Sequence, residues 1–183
     1  MEILYLDFEM LKEETKTHDL IATLNNLDMC EVIIYIDCVG GENRIAAILY
    51  DYLKRKNHNY KFIINGSCSS NMFLILAALN PEYIKFMRQG FCKIHLSNYN
   101  HPISTIVLND RNDIDLYDLK DFTSYLEDMF DLYKEFLSKK ELKLIKKGEE
   151  IYLCSKRSSE IFKKIKNNKD LQEKAKKIFE ITL

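Results

Sequence analysis

The chain has 183 residues, with 27 basic and 28 acidic side chains and a net charge of −1. That length suits one domain with an ample core, and the charge balance excludes the broadly basic surface of a nucleic-acid binder. Five cysteines (Cys30, Cys38, Cys68, Cys92 and Cys154) are scattered with no C-x-x-C pair, which argues against a disulfide framework or zinc site and predicts a reducing, cytoplasmic setting.

Residues 1–7 lack the basic and long apolar regions of a signal peptide, and no apolar run reaches the length of a membrane span. Residues 2–6 predict a short strand. Helical spacing then runs from Thr17 to Leu27. Residues 31–37 form a β-branched run with little polar interruption, the mark of a strand buried on both faces in a parallel sheet. Gly40-Gly41 ends that strand. A helix follows, with Ile45, Ile48, Leu49, Tyr52 and Leu53 on one stripe and Lys54-Arg55-Lys56 at its end. The strand at 60–64 completes a βαβ unit.

Next comes Asn65-Gly66-Ser67-Cys68-Ser69-Ser70, leading into an apolar helix, residues 71–79, that stops at Asn80-Pro81. Residues 83–87 and 91–95 predict two strands about an Arg88-Gln89-Gly90 turn. Residues 98–113 read as a polar loop with a short strand at 106–108. Residues 115–140 carry the longest helical pattern, with Leu119, Phe122, Leu126, Met129, Phe130, Tyr133, Phe136 and Leu137 on one face. Shorter helices are expected at 141–148, 158–165 and 170–181. The lysines of this region alternate with glutamates, as on a solvated helix face.

The chemistry centres on Ser70. A strand, a tight small-residue turn and a buried helix lift a hydroxyl from a sheet to a helix N-terminus, where N–H groups are unpaired and the dipole favours negative charge. Acyl transfer needs that setting, although serine also caps helices for structural reasons alone. His95, at the end of a later strand, is the candidate base. His18, His58 and His101 lie in polar loops or on exposed faces. Asp110, Asp113, Asp115, Glu149 and Glu150 all remain open as the orienting acid. The Asn71 N–H and the Gly40-Gly41 turn are candidate oxyanion donors.

Tyr35-Ile36-Asp37-Cys38-Val39-Gly40-Gly41, then Gly66-Ser67-Cys68-Ser69-Ser70, then Lys93-Ile94-His95 resembles the ClpP serine protease family. That family has a strand ending in Asn-Ser-Pro-Gly-Gly, a Gly-x-Ala-Ala-Ser turn carrying the nucleophile, and a strand ending in the base histidine. The intervals from Gly41 to Ser70 and from Ser70 to His95 match without a gap. The resemblance is clear over residues 3–96. It implies an α/β, ClpP/crotonase-like fold of repeated βαβ units in a single domain, 1–183. Residues of about 113–140 would form a long protruding handle helix, and 156–183 a C-terminal helical extension.

The resemblance further implies a serine endopeptidase acting on peptides or unfolded polypeptides. Ser70 would attack, His95 would shuttle the proton, Glu150 would fill the family's Asp position, and Gly41 and Asn71 N–H groups would hold the oxyanion. It implies no cofactor or metal, a heptameric or tetradecameric homo-oligomer, and an AAA+ unfoldase as a candidate partner, with no nucleic-acid or membrane partner. The departures are Val39 for Pro, Asn71-Met72-Phe73 for Met-Gly-Ser, Glu150 for Asp, no Gly-Gly after His95, and a longer stretch from His95 to Glu150. They open a second reading, a catalytically inactive ClpP-like subunit of a mixed ring. An acyl-CoA enzyme of the crotonase fold is a third, against which the Ser70/His95 pair counts.

Overall fold

The computed structural model describes residues 2–6, 14–27, 31–56, 59–96 and 116–180. The predicted strand at 106–108, and the loop that contains it, lie outside these residues. Six strands form one sheet: β1 (Glu2–Leu6), β2 (Glu31–Cys38), β3 (Asn59–Cys68), β4 (Tyr83–Phe86), β5 (Phe91–Ile94) and β6 (Ile151–Cys154). Their order is β1-β2-β3-β5-β6, with β4 also on β3. Every pairing is parallel except β5 with β6. The helices are α1 (Glu14–Asn25), α2 (Asn43–Arg55), α3 (Asn71–Leu79), α4 (Leu116–Tyr133), α5 (Lys139–Lys146), α6 (Ser155–Lys166) and α7 (Lys169–Glu180).

The βαβ unit forms as its apolar spacing dictates. Val32, Ile34, Ile36 and Cys38 of β2 are fully buried, and Ile45, Leu49 and Leu53 of α2 pack over them. The expectation that β2 is buried on both faces is corrected. Its alternate residues, Ile33 and Tyr35, are only half-buried, and their row continues through Ile3, which is exposed. The described helices thus cover one face of this part of the sheet more fully than the other.

β3 runs past the predicted end at Ile64. The pairing with β2 jumps from Ile36–Ile64 to Cys38–Cys68, so β3 bulges at Asn65-Gly66-Ser67. The Asp37 carboxylate accepts the Ser67 N–H at 2.7 Å, stitching the bulge to β2. A Cβ at Gly66 would fall on that carboxylate, so any other residue there would push the Asp37 side chain out of the stitch. β4 and β5 do not pair with each other. β4 lies along Lys61–Ile64 and β5 meets β3 at Ser67, so the two extend one another. The Met87 N–H bonds the Ile64 carbonyl (2.9 Å) at the crossing, where a Cβ on Gly90 would approach that same oxygen to 2.5 Å.

α3 lies at the centre of the fold. All its residues from Asn71 to Ala78 are buried, which suits a nearly all-apolar sequence. At about 1.5–3 kcal/mol for each large apolar side chain fully buried, it anchors strongly what sits at its N-terminus. Phe73 joins an aromatic cluster with Phe162 (5.2 Å between ring centroids), Phe136 (5.9 Å) and Tyr133 (6.3 Å).

The long helix ends at Tyr133, short of the predicted Lys140. Its last turn tightens through bonds from Glu135 N–H to the Leu132 carbonyl and from Phe136 N–H to the Tyr133 carbonyl. Ser138 then starts α5 with a capping box: its hydroxyl accepts the Glu141 N–H while the Glu141 carboxylate accepts the Ser138 N–H. The C-terminal half of α4 is packed rather than free. Tyr125, Leu126, Met129, Leu132 and Tyr133 are all buried. β6 is a strand that the sequence analysis did not assign, a four-residue partner of β5.

Candidate active site

Ser70 sits between β3 and α3 with φ 51° and ψ −126°. An L-residue rarely adopts that backbone conformation, and it persists only where the surroundings over-determine it. Here they do. The Ser69 N–H bonds the Cys38 carbonyl of β2 (3.0 Å), and the Ser70 N–H bonds the Lys93 carbonyl of β5 (2.8 Å). The Ser69 hydroxyl accepts the Lys93 N–H (3.1 Å) and is hydrogen-bonded to the Ser67 hydroxyl (2.6 Å). The turn is therefore clamped between the two flanking strands. Gly40, at φ 89°, lies so close beneath that a Cβ there would come within 2.6 Å of the Ser70 Cβ.

The two predicted oxyanion donors flank this serine. The Asn71 N–H opens α3, and Gly41 follows Gly40 against the same turn. Among the described residues neither N–H makes a hydrogen bond. The Asn71 side chain was not singled out by sequence, yet it ties the site together. Its amide donates to the Gly41 carbonyl (2.7 Å) and to Asn43 Oδ1 (2.9 Å), and its oxygen accepts the Tyr125 hydroxyl of α4 (2.7 Å). The available signal was a polar side chain in an otherwise apolar, fully buried helix, which must find partners. Met72 is fully buried in the core.

His95 follows β5 directly, two residues beyond the carbonyl that holds Ser70. It is half-buried, with Nδ1 3.4 Å from the Leu96 carbonyl. Burial pulls its pKa below the ordinary histidine value; the Leu96 carbonyl and the Glu150 charge oppose this, and the Lys93 charge adds to it. Glu150 precedes β6, antiparallel to β5, close enough for its charge to act on His95. Its own carboxyl is held below the usual range, first by a hydrogen bond from Lys93. Lys93 Nζ lies 2.9 Å from one oxygen, and the Tyr152 hydroxyl donates to the other at 3.3 Å.

The fold thus brings Ser70, Gly41 and Asn71 together and carries His95 and Glu150 on the adjoining strand pair. Among the described residues no hydrogen bond joins Ser70 to His95 or His95 to Glu150. Glu149 is in the same turn, before β6. Asp110, Asp113 and Asp115 lie outside the described residues. Cys38, Cys68 and Cys92 are buried, and burial pushes the Cys68 thiol well up. Among the described residues no cluster of His, Cys, Asp and Glu fits a metal ion, and no helix is long and apolar enough to cross a membrane.

No protein-family model matches the sequence, and no curated protein matches it either. Solved structures do match. The ClpP protease catalytic domain from Plasmodium falciparum superposes with a TM-score of 0.54 at 20% identity, over 87% of this chain and 80% of that one. A point mutant of ClpP1 from Listeria monocytogenes superposes with a TM-score of 0.58 at 16% identity, over 93% and 94%. The chain has the ClpP protease fold. Within the ClpP fold, the glycine turn after β2, the strained serine turn after β3 and β5, which ends one residue before His95, follow one another along the chain.

Proposed function

We propose that this ClpP-like chain is a divergent serine endopeptidase that hydrolyses peptides or unfolded polypeptides within a ring-shaped homo-oligomer. The observation that carries the reading is Ser70 itself. It is a non-glycine residue held at φ 51° on a strand-to-helix turn and bonded to β5, the strand that His95 follows. Strain of this kind costs on the order of 1–3 kcal/mol and tends to collect at active sites. A purely structural cap needs none of it.

In this reading Ser70 Oγ attacks the peptide carbonyl as its proton passes to His95. The tetrahedral oxyanion is met by the Gly41 and Asn71 N–H groups at the positive end of α3. Collapse expels the amine, which takes the proton from His95, and water then cleaves the acyl-enzyme by the same route. Glu150 steadies the imidazolium by charge, with Lys93 competing for its carboxylate. A ring would hide the site from folded proteins, and an AAA+ unfoldase would be the natural supplier of unfolded chains. Cys68 and Cys92, buried and in no disulfide, suit a reducing, cytoplasmic compartment.

A fluorophosphonate tests the proposal directly, because Ser70 Oγ displaces fluoride from phosphorus and the adduct adds a known mass. Intact-mass analysis of the assembled particle should give a single adduct that Ser70→Ala abolishes. The Lys93–Glu150 contact favours a second reading, an inactive subunit of a mixed ring. Peptide hydrolysis lost in Ser70→Ala excludes it, and an unlabelled assembled ring would establish it over the first.

A further inference from the structure

We propose that the Asn71 side chain is the positioning residue of the oxyanion site, clamping the Gly40-Gly41 turn against the start of α3. The idea rests on the peptidase reading above. Three contacts carry it: Asn71 Nδ2 reaches the Gly41 carbonyl at 2.7 Å and Asn43 Oδ1 at 2.9 Å, and Asn71 Oδ1 receives the Tyr125 hydroxyl at 2.7 Å. Both amide hydrogens and the amide oxygen are therefore engaged in a site where Asn71 is only 1% exposed.

The geometry gives this clamp a specific consequence. The two oxyanion donors belong to different segments, the Asn71 N–H to α3 and the Gly41 N–H to the loop between β2 and α2. Glycine carries no side chain to hold itself in place, and a Gly-Gly pair is the most mobile dipeptide a turn can have. Gly40 is confined by its contact with Ser70. Gly41 is half-exposed and is fixed from its carbonyl side by Asn71. The same side chain holds Asn43, the first residue of α2, so the turn is secured at its far end as well. The Gly41 carbonyl, which can only accept, sets which way the amide points: the NH2 group must face the glycine turn, so the amide oxygen faces α4 and the Tyr125 hydroxyl donates to it. One residue thus supplies one donor from its backbone and holds the other with its side chain, while the Tyr125 hydroxyl of α4 anchors the amide oxygen.

Asn71→Leu keeps the shape without burying a charge, and Tyr125→Phe removes only the hydroxyl. In the assembled protein, Asn71→Leu should lower kcat for a fluorogenic peptide by about 10- to 100-fold with KM little changed, and Tyr125→Phe by a smaller factor, about 3- to 10-fold. Amide hydrogen exchange over residues 39–43 should accelerate in both, with the core of β2 unchanged. A raised KM at constant kcat, or unchanged exchange in the glycine turn, would overturn the positioning role. Should Asn71→Leu not fold, Tyr125→Phe decides the matter by the same two readouts. A wild type that shows no Ser70-dependent hydrolysis sinks the peptidase reading and the positioning role with it. Hydrolysis that is intact in both variants sinks the positioning role alone.

Discussion

The two halves of the candidate site are built differently. The nucleophile half is buried and over-determined: Ser70 and Asn71 are at most 5% exposed, and bonds to β2, β5, α2 and α4 hold the turn from four sides. The base and acid half is open and lightly held. His95 is half-buried, and Glu150, 42% exposed, reaches back to Lys93 across two antiparallel strands. A strained serine cannot be kept by exposed contacts, because water would replace them at little cost. A base that must move protons needs less confinement, and apo histidine geometry tightens when substrate arrives. The contrast makes the first half a problem of stability and the second a problem of pH.

The largest effect should come from the floor of the nucleophile turn. Gly40→Ala places a side chain at φ 89° and within 2.6 Å of the Ser70 Cβ. Strain and overpacking together should cost on the order of 3 kcal/mol or more. Urea denaturation should show a lower midpoint, and peptide hydrolysis should disappear. An unaffected midpoint would mean that the turn is not over-determined.

The acid half should respond less. Behind β6 stands a brace in which Arg157 of α6 donates to Glu141 Oε2 at 2.8 Å, while Glu141 also closes the Ser138 capping box. Arg157 first, with Ser138 helping, pulls the Glu141 carboxyl from 4.5 to about 2. A depressed carboxyl stabilises the fold fully above its unfolded value and loses that contribution as pH falls through its folded one. Glu141→Ala should therefore cost about 1–2 kcal/mol at neutral pH, for a lost cap and a partly screened pair. Its gap to wild type should narrow as pH drops from 4.5 towards about 2 in thermal melts. A gap constant with pH would remove the charge from the account.

Smaller again, and opposite in sign, is Ser70→Gly. Glycine adopts the Ser70 backbone conformation without strain, so the substitution should stabilise the protein by about 1 kcal/mol once the extra freedom of the unfolded chain is set against it. Ser70→Ala keeps the strain and should melt close to wild type. Equal midpoints for all three would show that the turn stores no strain worth relieving.

How far the sequence revealed this site follows the same division. The strand run at 31–37, the stripe of α2 and the apolar helix after Ser70 are local patterns, and each appears within a residue or two of where its spacing placed it. The small-residue turn at Ser70 is likewise a local pattern, although the bonds to β2 and β5 that hold its strain are not. What stayed hidden depends on contacts distant in sequence. β6 is four residues, buried only at every second position, and becomes a strand because β5 offers an edge. The Asp37–Ser67 stitch and the Tyr125–Asn71 bond span 30 and 54 residues. The break at Tyr133 overrides a continuous apolar stripe because Ser138 and Glu141 cap a new helix. Lys93 as the partner of Glu150 was not legible either, since only the antiparallel register of β5 and β6, which pairs Lys93 with Tyr152, brings Glu150 within diagonal reach of it.

That register makes the subtlest prediction. Glu150 raises the His95 pKa and Lys93 lowers it, against a larger downward push from burial. Only the neutral imidazole can take the Ser70 proton, so activity should fall on the acid side as His95 becomes charged. The depressed pKa places that limb below the one an exposed histidine would give. Glu150→Gln removes a favourable charge for the imidazolium and should move the limb to lower pH. Lys93→Met removes a repulsive charge and releases Glu150 from its present partner, so it should move the limb to higher pH. A pH profile of kcat/KM for the three proteins tests this by sign alone. Shifts in the same direction, or none, would mean that Glu150 does not act on His95, and the acid of the site would then have to be sought among Asp110, Asp113, Asp115 and Glu149.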